Sequence, residues 1–264
     1  MNNIFRNLLS TLVFFTFSSV VTADDVKKEL QDMSDPLAVY TQAGIGYTDR
    51  GFNIKVGGAY DSGKPATMAM NIIEIQGLLG EKIGFRDGAT DKIDSIRFRN
   101  FTINTKNGLG SQVDISYNLN SKTGSASYAL IQALPKLSII QLYPLAGVGL
   151  NIANNVNENL LWKDADSPSG ISIPGAFATF GMYSKVTITK DFWFNYNPIW
   201  MTSIAGAKNY ENNTYAVNES SILTHEVALS YQITPVMNIR YFGNWSNLVD
   251  FKDGGHRLEF NYQL

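Results

Sequence analysis

Residues that could carry acid–base or nucleophilic chemistry are scarce in this chain. It contains two histidines and no cysteine. His225 is the better candidate, because it precedes Glu226 and follows Ser220 and Ser221, and a base must lie within hydrogen-bond reach of its nucleophile. His225, however, falls on the apolar face of its segment, and no serine stands two positions after it. The sequence therefore predicts no enzyme, and it contains no metal-ligand spacing or phosphate-binding loop that would indicate a cofactor.

Charged residues form a second group of candidates, on the polar face of segments in which polar and apolar side chains alternate. Successive side chains of a β-strand point to opposite faces, so these charges would lie together on one side of a sheet. Nine residues are assigned to that face: Lys55, Arg97, Arg99, Asp114, Lys185, Glu226, Arg240, Arg257 and Glu259. If the face is enclosed, the excess of basic residues predicts a narrow path for anions or sugar acids. The alternative is a set of ion pairs that fill the space, with Arg240 paired to Glu226 or Glu259.

The elements that would position these charges are long amphipathic strands. The chain ends on GHRLEFNYQL, in which apolar side chains occupy alternate positions, at Leu258, Phe260, Tyr262 and Leu264. We expect twelve strands, with 10 to 14 as the range, at about 37–47, 51–60, 66–76, 93–105, 110–120, 124–134, 137–152, 170–189, 192–204, 221–233, 236–246 and 254–264. The predicted fold is therefore all-β.

The connections between these strands fall into two kinds. Short turns alternate with longer polar loops, the longest at about 78–93, 153–170 and 205–220. An even number of strands with short turns at one end and long loops at the other is the layout of a transmembrane β-barrel. Strands of about ten residues are also long enough to cross a bilayer at a tilt, whereas strands of soluble sandwiches are usually nearer five or six.

Aromatic residues support a membrane location. Tyrosine and tryptophan concentrate where a membrane protein meets the headgroups. Six residues are predicted to form such interfacial girdles: Phe192, Phe194, Tyr196, Trp200, Tyr241 and Trp245. Inward-facing glycines would leave room for a lumen or for an inserted segment, or they would only relieve crowding where the wall curves. These are Gly44, Gly46, Gly57, Gly147, Gly149, Gly175 and Gly181.

The first 23 residues have the layout of a cleaved signal peptide, with Arg6 before an apolar stretch and Val-Thr-Ala at its end. Residues 24–36 form a polar lead-in that could be the inserted segment, and residues 37–264 form the barrel domain. Removing Arg6 leaves 20 of the 21 basic residues against 23 acidic ones, a balance that argues against nucleic acid as a partner.

The signal peptide, the amphipathic strands and the terminal LEFNYQL resemble a Gram-negative outer-membrane β-barrel protein, without indicating a subfamily. The family's C-terminal assembly signal alternates apolar residues and ends on an aromatic. Here the last residue is Leu264, and the aromatics stand at Phe260 and Tyr262. The resemblance implies an integral location in the cell outer membrane, contact with its lipid and lipopolysaccharide, and insertion by the barrel-assembly machinery.

These observations predict a single transmembrane antiparallel up-and-down β-barrel in the outer membrane. Its expected function is that of a narrow porin-like channel for small polar or anionic solutes, or of a closed structural barrel. The alternative is a lipid-modifying enzyme at the outer rim, a hydrolase or acyltransferase acting on lipid A or phospholipid. No cofactor is expected.

Overall fold

The computed structural model describes residues 30–86, 88–155, 162–163 and 170–264. Within them, twelve antiparallel strands form one closed barrel in which each strand pairs with its neighbours in the chain. The strands are β1 (Gln42–Thr48), β2 (Gly51–Asp61), β3 (Thr67–Leu78), β4 (Ser95–Asn104), β5 (Leu109–Asn118), β6 (Thr123–Gln132), β7 (Ile140–Asn154), β8 (Ile171–Thr187), β9 (Phe192–Gly206), β10 (Ser221–Thr234), β11 (Met237–Ser246) and β12 (Gly255–Gln263). The short helices are α1 (Gly80–Ile83), α2 (Lys208–Asn212) and a 3-10 turn at Phe251–Asp253.

Closure is made by the first and last strands. β1 pairs with β2 on one side and with β12 on the other, where Ala43 lies opposite Tyr262. The backbone N–H of Leu264 donates to the carbonyl of Thr41 at 2.9 Å, just beyond the ladder. Closure leaves no open sheet edge, which in hydrocarbon would cost several kcal/mol for each unpaired backbone group, to order of magnitude. The predicted twelve-stranded antiparallel up-and-down barrel is confirmed.

The outer wall is apolar and the inner wall is polar, as expected. On β12, Leu258 and Phe260 are 41% and 44% exposed, whereas Glu259 and Asn261 are 7% and 3% exposed. A soluble barrel would bury its apolar face instead. None of the helices in the described part of the chain is long and apolar enough to cross a membrane.

The two ends of the barrel differ in the length of their connections. The lower end carries the turns at 62–66, 105–108, 133–139, 188–191 and 235–236. The upper end carries 49–50, 79–94, 119–122, 155–170, 207–220 and 247–254, of which three are long. The predicted separation into a short-turn end and a long-loop end is therefore present.

An N-terminal segment, residues 30–41, lies inside the barrel at the lower end. Val39 is buried in one apolar cluster with Met70, Ile72, Phe101 and Ile103 of the inner wall. The predicted first strand, which began at residue 37, is wrong by five residues because β1 begins at Gln42. Leu37 and Val39 follow a strand-like alternation, but they pack into the interior rather than joining the ladder. The predicted signal peptide and residues 24–29 lie outside the described residues and stay predictions.

The upper loop 207–220 fills part of the lumen from above. Tyr210 of α2 is fully buried, and its hydroxyl accepts a hydrogen bond from Asn151 Nδ2 at 3.0 Å. Its ring occupies space that only glycine leaves free, since a Cβ on Gly175 would lie 2.1 Å from the Tyr210 ring. Phe177 covers Gly149 in the same way. Among the described residues, the lumen is therefore filled along β7 and β8 at this level.

Candidate functional site in the barrel lumen

A cavity of about 710 Å³ lies inside the barrel. Arg86 and Asp253 of the upper loops line one end, and Asp35 and Tyr40 of the N-terminal segment line the other. Between them it follows the inner face of β9–β12 and β1–β4, where most of the charged residues stand. The cavity therefore runs from the long-loop end down to the N-terminal segment.

The inner face of β3–β5 carries a set of ion pairs that we call the paired wall: Glu74, Arg97, Arg99 and Asp114. Arg97 Nε donates to Asp114 Oδ1 at 2.8 Å, and its Nη2 donates to Oδ2 of the same carboxylate. Arg99 Nη2 donates to Glu74 Oε1. Each guanidinium thus has one carboxylate, and the four charges sum to zero. A fork of two parallel bonds is the strongest form of such a pair.

The inner face of β11, β12 and β2 carries a second set that we call the cationic wall: Lys55, Arg240, Arg257 and Glu259. The carboxylate of Glu259 serves two cations, with Lys55 Nζ 2.5 Å from Oε1 and Arg257 Nε 3.0 Å from Oε2. All three side chains are largely buried, at 15%, 23% and 9% exposure for Lys55, Arg257 and Glu259. One carboxylate cannot neutralise two cations, so this wall carries excess positive charge.

Arg240 adds to this excess because its partners are neutral. Its Nε donates to Ser230 Oγ and its Nη2 to Asn195 Oδ1, both at 2.9 Å. Its guanidinium carbon lies 4.7 Å from the centroid of the Phe242 ring, and that of Arg257 lies 4.3 Å from the same centroid. A shared aromatic face attracts both cations without cancelling their charge.

Glycines of β1 make the Lys55–Glu259 contact geometrically accessible. Lys55 on β2 reaches Glu259 on β12 across β1, which presents Gly44 and Gly46 to the interior. A Cβ on Gly44 would lie 3.1 Å from Lys55 Cε, and one on Gly46 would lie 3.1 Å from Arg257 Cδ. At Gly44 and Gly46 the space is taken by side chains of the neighbouring strands, so the two readings of the inward glycines stay predictions.

The predicted ion pair of Arg240 is wrong. Arg240 and Glu259 do stand opposite each other on β11 and β12. Lys55 and Arg257 nevertheless occupy the Glu259 carboxylate, and Glu226 accepts a hydrogen bond from Asn197 Nδ2 at 2.9 Å. Within the described residues, Arg240 makes hydrogen bonds to neutral groups and no ion pair. The register alone could not show that a lysine two strands away competes for the same carboxylate.

The structure places all nine predicted lumen residues on the inner face, by contact with one another, with the N-terminal segment or with the cavity. That they line a solute path stays a prediction. Sequence reasoning missed Glu74, because β3 carries isoleucine on both faces and methionine on the inner face, so no simple alternation shows which side is polar. It also missed Asp32, whose Oδ2 lies 2.9 Å from Lys185 Nζ, and Asp35, whose Oδ1 accepts from the Tyr143 hydroxyl at 2.8 Å.

The two histidines lie beside aromatic residues of the predicted girdles. His225 Nδ1 lies 2.8 Å from the Tyr196 hydroxyl, and its ring stacks on Trp245 with centroids 5.0 Å apart. His256 Nδ1 likewise lies 2.8 Å from the Tyr241 hydroxyl. Among the described residues, the side-chain partner of His225 is Tyr196, and no hydrogen bond joins His225 to Ser220 or Ser221.

The other predicted outer-face groups keep the positions that the pattern gave them. Trp200 stacks on Phe180 with centroids 5.9 Å apart, and Phe192 and Phe194 stand on the same face of β9, nearer the lower end. The apolar residues of the proposed assembly signal are exposed at the barrel surface. Roles in membrane anchoring and in assembly stay predictions for these residues.

Comparison with solved structures identifies barrels of the same kind. The COG4313 outer membrane channel from Pseudomonas putida F1 superposes with a TM-score of 0.50 at 7% identity, over 87% of this chain and 97% of that one. The NanC porin gives 0.49 at 9% identity over 85% and 100%, and the KdgM porin in complex with disordered oligogalacturonate gives 0.46 at 9% identity over 86% and 99%. The superposition with the COG4313 channel shows a shared closed β-barrel fold. No protein-family model and no curated protein matches it.

Proposed function

We propose that this protein is an integral outer-membrane barrel that provides a narrow diffusion path for small anionic or polar solutes. The observation that carries the proposal is the cavity of about 710 Å³ bounded on one side by the cationic wall. The apolar outer wall of the barrel suits the hydrocarbon of a membrane, and the polar inner wall suits water. The porin-like fold supports the same assignment.

The preference for anions follows from the uncompensated charge of Lys55, Arg240 and Arg257. Glu259 is the only carboxylate in direct contact with this wall among the described residues, and Glu226 lies on β10 with Asn197 as its partner. Two unit charges about 4 Å apart interact by roughly 4 kcal/mol at the effective dielectric of a protein surface. An anion that passes along the cationic wall therefore meets a more favourable local field than a cation does.

The cavity also offers surfaces for the uncharged part of a solute. Phe101, Tyr183 and Phe242 line it beside the charged groups. The volume lies within the usual range of roughly 300–1,000 Å³ for small-molecule sites, and most of the lining residues are polar or charged. This mixture suits a small organic anion, sugar acids included, as well as an inorganic ion.

Single-channel recording in planar bilayers tests the proposal. We expect resolved current steps from the purified full chain, and a reversal potential in a KCl gradient that shows chloride to be more permeant than potassium. The same preparation denatured by heat is the control. A silent bilayer, from protein that still shows the folded band on an unheated SDS gel, would favour the closed structural barrel over the channel.

A further inference from the structure

The N-terminal segment, residues 30–41, crosses the lumen from one side of the barrel to the other. Near its start, Asp32 Oδ2 lies 2.9 Å from Lys185 Nζ on β8. Near its end, Val39 packs against Met70 and Ile72 of β3 and against Phe101 of β4. β8 and β3 are five strands apart in a ring of twelve, so these two anchors stand on nearly opposite sides of the bore.

The segment is folded rather than extended across this space. The N–H of Asp35 donates to the carbonyl of Asp32, and the N–H of Ala38 donates to the carbonyl of Asp35, both at 3.0 Å. These two turns draw the chain into a compact body. A compact body across the bore obstructs more of its cross-section than a single extended strand would.

Both apolar and polar contacts hold the segment in place. Met33 and Val39 are buried at 5% and 4% exposure, and Leu37 packs beside Tyr143 of β7. The hydroxyl of Tyr143 donates to Asp35 at 2.8 Å. Burying one aliphatic side chain contributes about 1.5–3 kcal/mol, so a few such contacts hold the segment without making it part of the sheet.

The charges of the segment complement those of the wall. Among the described strand residues, six basic and four acidic side chains contact one another, the segment or the cavity: Lys55, Arg97, Arg99, Lys185, Arg240 and Arg257 against Glu74, Asp114, Glu226 and Glu259. Asp32 and Asp35 add two carboxylates at the lower end. Undocking the segment would remove these two negative charges from the lower end and leave the basic side chains of the wall less compensated.

Tyr40, near the end of the segment, lines the same cavity as the cationic wall. It lines the cavity just before β1 begins at Gln42, and burial raises its pKa to about 12. Its hydroxyl is therefore neutral at physiological pH and adds a polar but uncharged surface to the floor of the cavity.

We infer that residues 30–41 are a plug that forms the constriction of the pore at its short-turn end, and that undocking it widens the path and strengthens its preference for anions. The inference rests on the proposed function, because a constriction matters only in a conducting barrel. It assigns the solute-limiting element to the N-terminal segment rather than to the strands or the upper loops.

Deletion of residues 30–38 tests the inference, with conductance and reversal potential recorded beside the full chain. We expect the conductance to rise about two- to fivefold and the chloride-to-potassium permeability ratio to rise with it, since a wider path now carries uncompensated positive charge. A double variant, Asp32→Asn with Asp35→Asn, keeps the apolar contacts and the chain length. It should raise the permeability ratio while changing the conductance less.

A crosslink tests the opposite case, in which the segment cannot leave the lumen. Introduced cysteines can be crosslinked selectively because the chain contains none of its own. In the variant Asp32→Cys with Lys185→Cys, a short thiol-reactive crosslinker that forms a disulfide with each cysteine should hold the segment in place. The conductance should then stay at or below that of the full chain until the disulfides are reduced. Cysteines at Ser121 and Thr123 are the matched control, since their hydroxyl oxygens lie 2.7 Å apart in an upper turn away from the plug. Crosslinking there should leave the current unchanged.

The outcomes separate the two proposals. If the full chain and the deletion variant conduct equally and with equal selectivity, the plug is refuted and the channel stands. If both are silent while folded, the channel falls, and the inference falls with it. If the full chain is silent and the deletion variant conducts, the plug is supported as a closed gate. Should the deletion variant fail to fold, the double variant Asp32→Asn with Asp35→Asn decides: a chloride-to-potassium permeability ratio equal to that of the full chain would refute the plug.

Discussion

On the paired wall each guanidinium has its own carboxylate, whereas on the cationic wall three basic side chains face the single carboxylate of Glu259. Both sets lie on the inner face of the same barrel and project into the same lumen. The two walls differ in the number of carboxylates available to each basic side chain. This difference shows that the number of charges on a wall says little until the partner of each one is known.

The two walls are therefore expected to serve the barrel differently. On the paired wall the charges satisfy one another, so their removal should affect folding more than the field in the lumen. On the cationic wall the surplus charge faces the cavity, so removal of a cation should affect the passage of ions. Glu259 is the exception, because two buried cations depend on it.

The largest expected effect comes from Glu259→Gln. The substitution leaves Lys55 and Arg257 without a carboxylate, and loss of one partner from a buried pair typically destabilises by about 3–5 kcal/mol. We expect the folded band on SDS gels to be lost at a clearly lower temperature. Glu226→Gln is the control, since the glutamine can still accept the bond from Asn197 and little stability should be lost. Equal melting of both variants would show that Glu259 is not the central partner of the cationic wall.

A smaller loss of stability is expected from Arg97→Met on the paired wall. Asp114 would keep only the bond from Gln112 Nε2, which is 3.1 Å long. Because the side chain of Arg97 is 37% exposed and water can reach the site, we expect a loss of about 1–3 kcal/mol. Combining Arg97→Met with Asp114→Asn should restore part of the loss, as measured by a double-mutant cycle on thermal unfolding. Additive losses would mean that the two residues do not act as a pair.

The barrel itself could be predicted from the sequence because apolar and polar residues alternate along the strands of a membrane barrel. In β12 every outward residue is apolar from Leu258 onward and every inward residue is polar, since lipid and water impose opposite requirements on the two faces. The same logic failed for residues 37–41. Alternation in Leu37 and Val39 reports that one side is buried, but it does not report whether the partner is lipid, a neighbouring strand or the interior of the barrel.

The lumen could be predicted only in outline. Successive side chains of a strand point to opposite faces of the sheet, so the nine charged residues could be assigned to the inner wall. Pairing depends on how far each side chain reaches, and the Lys55–Glu259 contact passes over Gly44 and Gly46 of an intervening strand. Nor could the pattern place Asp32 against Lys185, because the residues are 153 positions apart and Asp32 belongs to no strand.

A sharper test of the comparison measures selectivity rather than stability. Arg240→Gln removes a cation whose partners are the neutral Ser230 and Asn195, so the barrel should stay folded. We expect the chloride-to-potassium permeability ratio to fall about two- to threefold, because one charge of the surplus is lost. The matched control is Arg97→Gln with Asp114→Asn, which removes a pair and leaves the net charge unchanged. A greater change in the control than in Arg240→Gln would reverse the roles assigned to the two walls.

The smallest expected effect concerns the ion pair between Asp32 and Lys185, which resembles the paired wall but draws its carboxylate from the plug. Burial acts to raise the pKa of Asp32, but hydrogen bonds from Ser34 and the contact with Lys185 outweigh it and hold the pKa below its ordinary value. Of these contacts only the one with Lys185 depends on docking, because Ser34 belongs to the segment itself. The charged form of Asp32, which prevails above its free pKa of about 3.9, favours docking through that contact. That contribution is lost as the pH falls through the lowered pKa, so undocking should increase in acid.

Conductance recorded between about pH 7 and pH 3 should therefore be flat at first and rise modestly below about pH 4. The effect is small because the Asp32 side chain is 63% exposed, and solvent weakens its pairing with Lys185. In Asp32→Asn the rise should be absent, and the conductance at neutral pH should already be slightly higher. Other carboxylates near Lys185 and Tyr143, Asp35 among them, remain in both proteins, so a rise that persists unchanged in Asp32→Asn would assign the response to them instead.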